Sequence, residues 1–129
     1  MKINHTHHIA INTRDFKASI KFYQDILKMQ FINEVDLGEN HVAYLQYAED
    51  SFIELFQMEG RLTESEIDDN RVGLKHIAFD VDDLMEWDTY LKEVNAKFTL
   101  GVTELEPIRK RVLLIEAPDN VIVELCENY

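Results

Sequence analysis

The chain has 129 residues, 46% of them hydrophobic, which suits one compact domain or two small halves sharing a core. Thirteen Lys and Arg against 25 Asp and Glu give a formal charge of −12, which argues against nucleic acid and anionic membrane surfaces as partners. Cys126 is the sole cysteine, so no intramolecular disulfide can form, and no apolar run approaches the ~20 residues of a membrane span. A strand-like pattern starts at the first residues and leaves no room for a signal peptide, so a reducing cytoplasm is the expected setting.

In chain order, His5–Asn12 alternates apolar and polar residues and predicts a strand. Asp15–Leu27 sets Phe16, Ile20, Tyr23, Ile26 and Leu27 at helical spacing and predicts an amphipathic helix. Phe31–Asp36, His41–Tyr47 and Ser51–Gln57 read as short strands, with turns at Gly38 to Asn40 and at Glu49-Asp50. Gly60–Gly73 is charged, bracketed by glycine, and reads as an exposed connector. Leu74–Val81 predicts the next strand. Asp83 with Glu86 predicts a capped helix start, followed by a buried stripe of Leu84, Trp87, Leu91 and Val94. Lys97–Thr103, Arg109–Glu116 and Val121–Glu127 read as three final strands, the last after a Pro118-Asp119-Asn120 turn. Gly101–Ile108 reads as flexible.

The two halves are copies of one unit. His-His-Ile-Ala at 7–10 matches Lys-His-Ile-Ala at 75–78, and an aspartate follows each second-position His by seven residues, Asp15 and Asp83. Phe-Ile-Glu-Leu at 52–55 matches Ile-Val-Glu-Leu at 122–125. The His-to-Glu separation is 46 residues in the first copy (8 to 54) and 48 in the second (76 to 124). The expected fold is therefore α+β: one domain over 1–129 made of two tandem βαβββ modules, about 5–58 and 74–127, whose curved sheets surround a metal-binding cleft.

Strand side chains alternate between faces. With Ile9 and Ile11 turned to the helix, His8 faces the opposite, concave side; Ile77 and Phe79 leave His76 the same way. Ile53 and Leu55, and Val123 and Leu125, likewise leave Glu54 and Glu124 facing inward among apolar neighbours. A carboxylate there needs a partner or a metal. His8, Glu54, His76 and Glu124 are thus the candidate ligands of one divalent ion, Zn, Ni, Co, Mn or Fe(II). Four protein ligands on an octahedral metal leave two open positions, as a catalytic site requires. His5, His7 and His41 read as surface or edge residues, Trp87 and Tyr90 as packing residues, and Cys126 as a small buried hydrophobe on the Glu124 face.

The His-His-Ile-Ala start, the Ser19-Ile20-Lys21-Phe22-Tyr23 segment, Phe-Ile-Glu-Leu, Gly73–Phe79 and the Pro118–Leu125 ending resemble the vicinal oxygen chelate superfamily, that is, the glyoxalase/bleomycin-resistance/dioxygenase group. A four-position ligand set with Glu at the second position is similar to that of glyoxalase I-like (lactoylglutathione lyase-like) members. The resemblance implies a metal-dependent lyase or isomerase. Such an enzyme converts the hemithioacetal of a 2-oxoaldehyde and a thiol into a 2-hydroxyacyl thioester through a metal-stabilised ene-diolate. Glu124 or Glu54 then moves the proton between carbons, with Glu124 favoured. It also implies a homodimer and a small-molecule substrate. Asn12 and Met58 stand where glutathione-using members commonly have Arg and Asn, which argues for another thiol. Arg109, Lys110 and Arg111 are an alternative anion site or, as the preferred reading, ordinary charged residues on an edge strand. The competing functions are a methylmalonyl-CoA epimerase-like reaction, Fe(II) dioxygenation, and metal-free binding or resistance.

Overall fold

The alternation read from His8 onward appears as burial: along His8–Thr13 (β1) the odd-numbered residues are the more protected. The computed structural model describes residues 1–58 and 72–129, and divides into two units, Met1–Glu64 and Ser65–Tyr129. In the first unit β1 is followed by a helix, Phe16–Lys21 (α1), then by strands Gln30–Asp36 (β2), His41–Ala48 (β3) and Ser51–Gln57 (β4). The second unit has Ile77–Asp80 (β5), Leu84–Glu93 (α2), Phe98–Leu105 (β6), Lys110–Glu116 (β7) and Ile122–Asn128 (β8). Each unit is βαβββ, and the class is α+β as expected.

The sheet orders are β1-β4-β3-β2 and β5-β8-β7-β6. In both, the first strand lies parallel to the last, and the remaining pairs are antiparallel. The helix supplies the crossover that a parallel pair needs. Leu45, Ile53 and Leu55 are fully buried in the first unit, beside Tyr23 and Phe16 from the helical segment. Leu113, Ile115 and Val123 are fully buried in the second, with Leu84 and Leu91 of α2. Both helices start on an aspartate cap. Asp15 accepts from the Ala18 N–H and Asp83 from the Glu86 N–H, each at 3.0 Å. These bonds satisfy backbone donors that the first helical turn leaves open.

Several boundaries differ from the sequence reading. The first helix keeps its length but widens into a π-helical turn over Phe22–Ile26, where the Leu27 N–H reaches back to the Phe22 carbonyl. β1 begins at His8 rather than His5, and β5 at Ile77 rather than Leu74. The cause is shared. Parallel pairing aligns His8 with Phe52 and Ile77 with Val123. By this register Thr6 would face Asp50 and Leu74 would face Asn120, turn residues with positive φ angles where the partner strands have already ended. Gly101–Ile108 is not a loose segment: β6 runs to Leu105 and a short 3₁₀ turn, Glu106–Ile108, links it to β7. β7 lies between β6 and β8, so Lys110 and Arg111 are on an interior strand, not an edge. α2 buries Asp88 together with Leu84 and Leu91, and the Asp88 carboxylate takes a 2.7 Å bond from Lys92 one turn on. The connector expected at 60–73 lies outside the described residues except for Val72 and Gly73, which are exposed. Among the described residues, no helix is long and apolar enough to cross a membrane.

Replacing Asp83 by Ala removes the α2 cap and is expected to lower stability by about 1 kcal/mol, while Asp83→Ser retains most of it. Urea unfolding midpoints of the two variants against wild type measure the difference.

Candidate metal centre

β1 and β4 are aligned so that Ala10, not His8, stands opposite Glu54. His8 lies two residues earlier on the same face and reaches Glu54 diagonally, Nε2 to Oε2 at 3.1 Å. The second unit repeats the arrangement. Ala78 stands opposite Glu124, and His76 Nε2 lies 3.1 Å from Glu124 Oε2. Neighbouring strands run about 4.8 Å apart, so a side chain larger than a methyl at the alanine would occupy the space where the imidazole and carboxylate meet. The alanine of His-Ile-Ala is therefore part of the pair in both repeats.

The setting of each pair is apolar. On the Glu54 face, β4 places Phe52 and Phe56 on either side, and Tyr44 is its β3 neighbour. Glu124 is flanked by Ile122 and Cys126, with Leu114 across on β7. The carboxylates are mostly covered, with side-chain exposures of 11% for Glu54 and 16% for Glu124. Taking a carboxylate that far from water is costly unless a cation or donor faces it, and in each unit the imidazole does so.

The rear nitrogens of the two imidazoles differ. His8 Nδ1 lies 3.0 Å from Nδ1 of His7, whose ring meets it edge-on. His76 Nδ1 is buried without a hydrogen-bond partner among the described residues. Sequence reasoning assigned His7 to the surface and the opposite face. It is exposed, but because it precedes the first ladder pair its ring turns back against His8. The signal that pointed to it was the His7-His8 doublet set against Lys75-His76 in the second repeat.

All four predicted ligands thus fall into two His–Glu pairs, one per unit. Among the described residues, no three His, Cys, Asp or Glu side chains are already gathered as a metal-holding group. The donor chemistry suits a divalent cation nonetheless. Imidazole nitrogen and carboxylate oxygen are ligands of intermediate hardness, and each pair sits where an unneutralised carboxylate is disfavoured.

The remaining candidates separate clearly. His5 Nε2 contacts the Asp50 carbonyl at 3.3 Å and His41 faces Asp36 at 3.6 Å, both exposed, as expected. Trp87 and Tyr90 pack edge-on against each other with ring centroids 5.8 Å apart. Arg109, Lys110 and Arg111 do not form an anion site. Arg111 bridges Glu104 and Glu127 at 3.0 and 2.9 Å, Lys110 donates to Asn128 Oδ1 at 2.6 Å, and Arg109 Nε donates to the Tyr129 carbonyl. Glu104 above all, then Glu127, holds the Arg111 guanidinium above its usual range. Cys126 is buried as expected, and burial is the main reason its thiol is pushed above the ordinary range.

A profile of the Glyoxalase/Bleomycin resistance protein/Dioxygenase superfamily matches residues 5–125. The chain belongs to this superfamily. The superfamily match spans both repeats and takes in all four candidate ligands. An uncharacterized protein of Escherichia coli, YaeR, is 30% identical over 128 residues, 97% of this chain and 97% of its own length. A probable lactoylglutathione lyase of Vibrio parahaemolyticus is 24% identical over 123 residues, 94% of this chain and 88% of its own. The crystal structure of a glyoxalase family protein from Enterococcus faecalis superposes with a TM-score of 0.83 at 23% identity, over 98% of this chain and 100% of that one. Its agreement is one of fold.

A buried thiol with a raised pKa reacts slowly. Cys126 in the native protein is therefore expected to resist iodoacetamide at pH 8 and to be alkylated fully in denaturant, as followed by intact mass. Rapid native labelling would contradict the packing of β8 against β7.

Proposed function

We propose that the His8–Glu54 and His76–Glu124 pairs together hold one divalent metal, and that the protein is a glyoxalase I-like lyase or isomerase. The observation that carries this reading is the duplicated pair. Two repeats that differ at most positions keep the same alanine-spaced imidazole–carboxylate contact at 3.1 Å. Superfamily membership and the similarity to a probable lactoylglutathione lyase support it. The reading carries with it a homodimeric cytoplasmic enzyme acting on a small molecule.

A bound Zn, Ni, Co, Mn or Fe(II) ion would supply Lewis acidity toward the two adjacent oxygens of a hemithioacetal. Before metal binds, His8 and His76 hold the carboxylates in place through Nε2. Phe52, Phe56 and Tyr44 around Glu54 shield this carboxylate from water. Glu124 takes the proton from one carbon as the C–H electron pair moves toward the adjacent carbonyl, then returns it to the neighbouring carbon. We assign the base to Glu124 because its imidazole, His76, has among the described residues no rear contact like the one that holds His8, leaving this carboxylate the less restrained of the two. Asn12 lies exposed on the His8 face and Met58 follows the end of β4, so neither offers a charged group to a glutathione carboxylate. The thiol is therefore expected to be other than glutathione.

Elemental analysis of purified protein is expected to find about one metal per chain, and Glu54→Gln to lose most of it. A wild-type protein that takes up none of the five metals on incubation removes this reading and leaves a metal-free binding protein. Glu124→Gln is expected to lower turnover of hemithioacetals by about 100-fold or more. Ala10→Leu fills the space between imidazole and carboxylate. It is expected to fold, as judged by circular dichroism, yet to bind metal at least about tenfold more weakly.

A further inference from the structure

We propose that His7 is a positioning residue for His8, accepting the proton of His8 Nδ1 so that Nε2 presents its lone pair to the metal; this rests on the metal site proposed above. The geometry is the 3.0 Å Nδ1–Nδ1 contact and the edge-on rings. His7 is held in place on two sides. Its carbonyl accepts from the Phe52 N–H at 2.9 Å, and its ring lies 5.5 Å from the Phe52 ring.

The chemistry selects an imidazole at this position. Without metal, His8 satisfies Glu54 by donating from Nε2, which leaves Nδ1 as an acceptor. A neutral His7 then donates from its own Nδ1. With a cation at Nε2, that nitrogen must give up its proton and Nδ1 must carry one instead, so the group behind it has to accept. Imidazole serves both states by exchanging tautomers, because the exposed ring of His7 trades its Nε2 proton with water. No proton is gained or lost by the two neutral rings together. An ammonium only donates, and the second repeat has Lys75 at the matching position, with His76 Nδ1 buried and without a hydrogen-bond partner among the described residues. The two imidazoles are therefore inequivalent. His8 has behind it a ring that can accept its Nδ1 proton when metal binds, whereas among the described residues His76 meets Glu124 at Nε2 and has no hydrogen-bond partner at Nδ1.

The test compares Zn(II) affinity, by competition with a chromophoric chelator, for wild type, His7→Phe, His7→Asn and Lys75→Ala. His7→Phe is expected to weaken binding about 10- to 100-fold. His7→Asn, whose side-chain oxygen can accept near the former Nδ1 position, is expected to recover most of the loss, and Lys75→Ala to bind as wild type. A second readout needs no variant: ¹⁵N–¹H correlation spectra of histidine-labelled, Zn(II)-loaded wild type should show His8 protonated at Nδ1 with His7 Nδ1 unprotonated. Equal affinity of His7→Phe and wild type, or a protonated His7 Nδ1 in the loaded protein, overturns the role of His7 while the metal site stands. Failure of wild type to bind Zn(II), Ni(II), Co(II), Mn(II) or Fe(II) overturns both.

Discussion

The pairing of each unit's first strand with its last is the constraint on which the rest depends. Parallel alignment of β1 with β4, and of β5 with β8, puts an alanine opposite a glutamate and a histidine two residues earlier on the same face. One step of register would turn the histidine toward the helix and the isoleucine toward the carboxylate. Burial of Ile53 and Leu55, with Ile9 half-buried, in the first unit and of Ile77, Val123 and Leu125 in the second prevents that slip. The hydrophobic core of each unit thereby determines the chemistry of the opposite face.

That face is built at a cost which the imidazole offsets. Glu54 lies among aromatic side chains and Glu124 among aliphatic ones, and water reaches little of either. An imidazole 3.1 Å away compensates part of the lost hydration, and the divalent cation proposed for this site would compensate more. The charge of −12 is otherwise spread over residues in water or in ordinary pairs such as Lys97–Glu116. At these two faces, as at the buried Asp88 of α2 with its Lys92, acidity is placed where it demands a partner. The cations that might have made an anion pocket, Arg109 to Arg111, are occupied at the start of β7 by Glu104, Glu127, Asn128 and the Tyr129 backbone.

The repeat also shows how duplicated halves diverge. The capping aspartates, the alanine spacer and the His–Glu contact are the same in both. The surroundings are not: phenylalanines against aliphatic side chains, a π-helical turn against a regular helix, and His7 against Lys75. Each difference lies beside the conserved geometry rather than in it. Two carboxylates of one type can in this way take different roles.

Period and spacing alone determined the α+β class, the βαβββ order, the shared strand face of His8 with Glu54 and of His76 with Glu124, and the burial of Cys126. These follow from strand alternation and helical repeat, which are local properties of the chain. Strand ends were not local. His5 to His7 and Leu74 to His76 continue the strand pattern, yet the partner strands turn at Asp50 and at Asp119-Asn120, so the regular ladders begin only at His8 and Ile77, with one further bond from the Phe52 N–H to the His7 carbonyl. Pairing was not local either. Only the sheet order shows that Lys110 and Arg111 lie on an interior strand beside their acidic partners, and only the end of the β1 ladder lets His7 turn toward His8. A side chain's face can be read from its neighbours in sequence, but what it touches depends on which distant strand lies alongside.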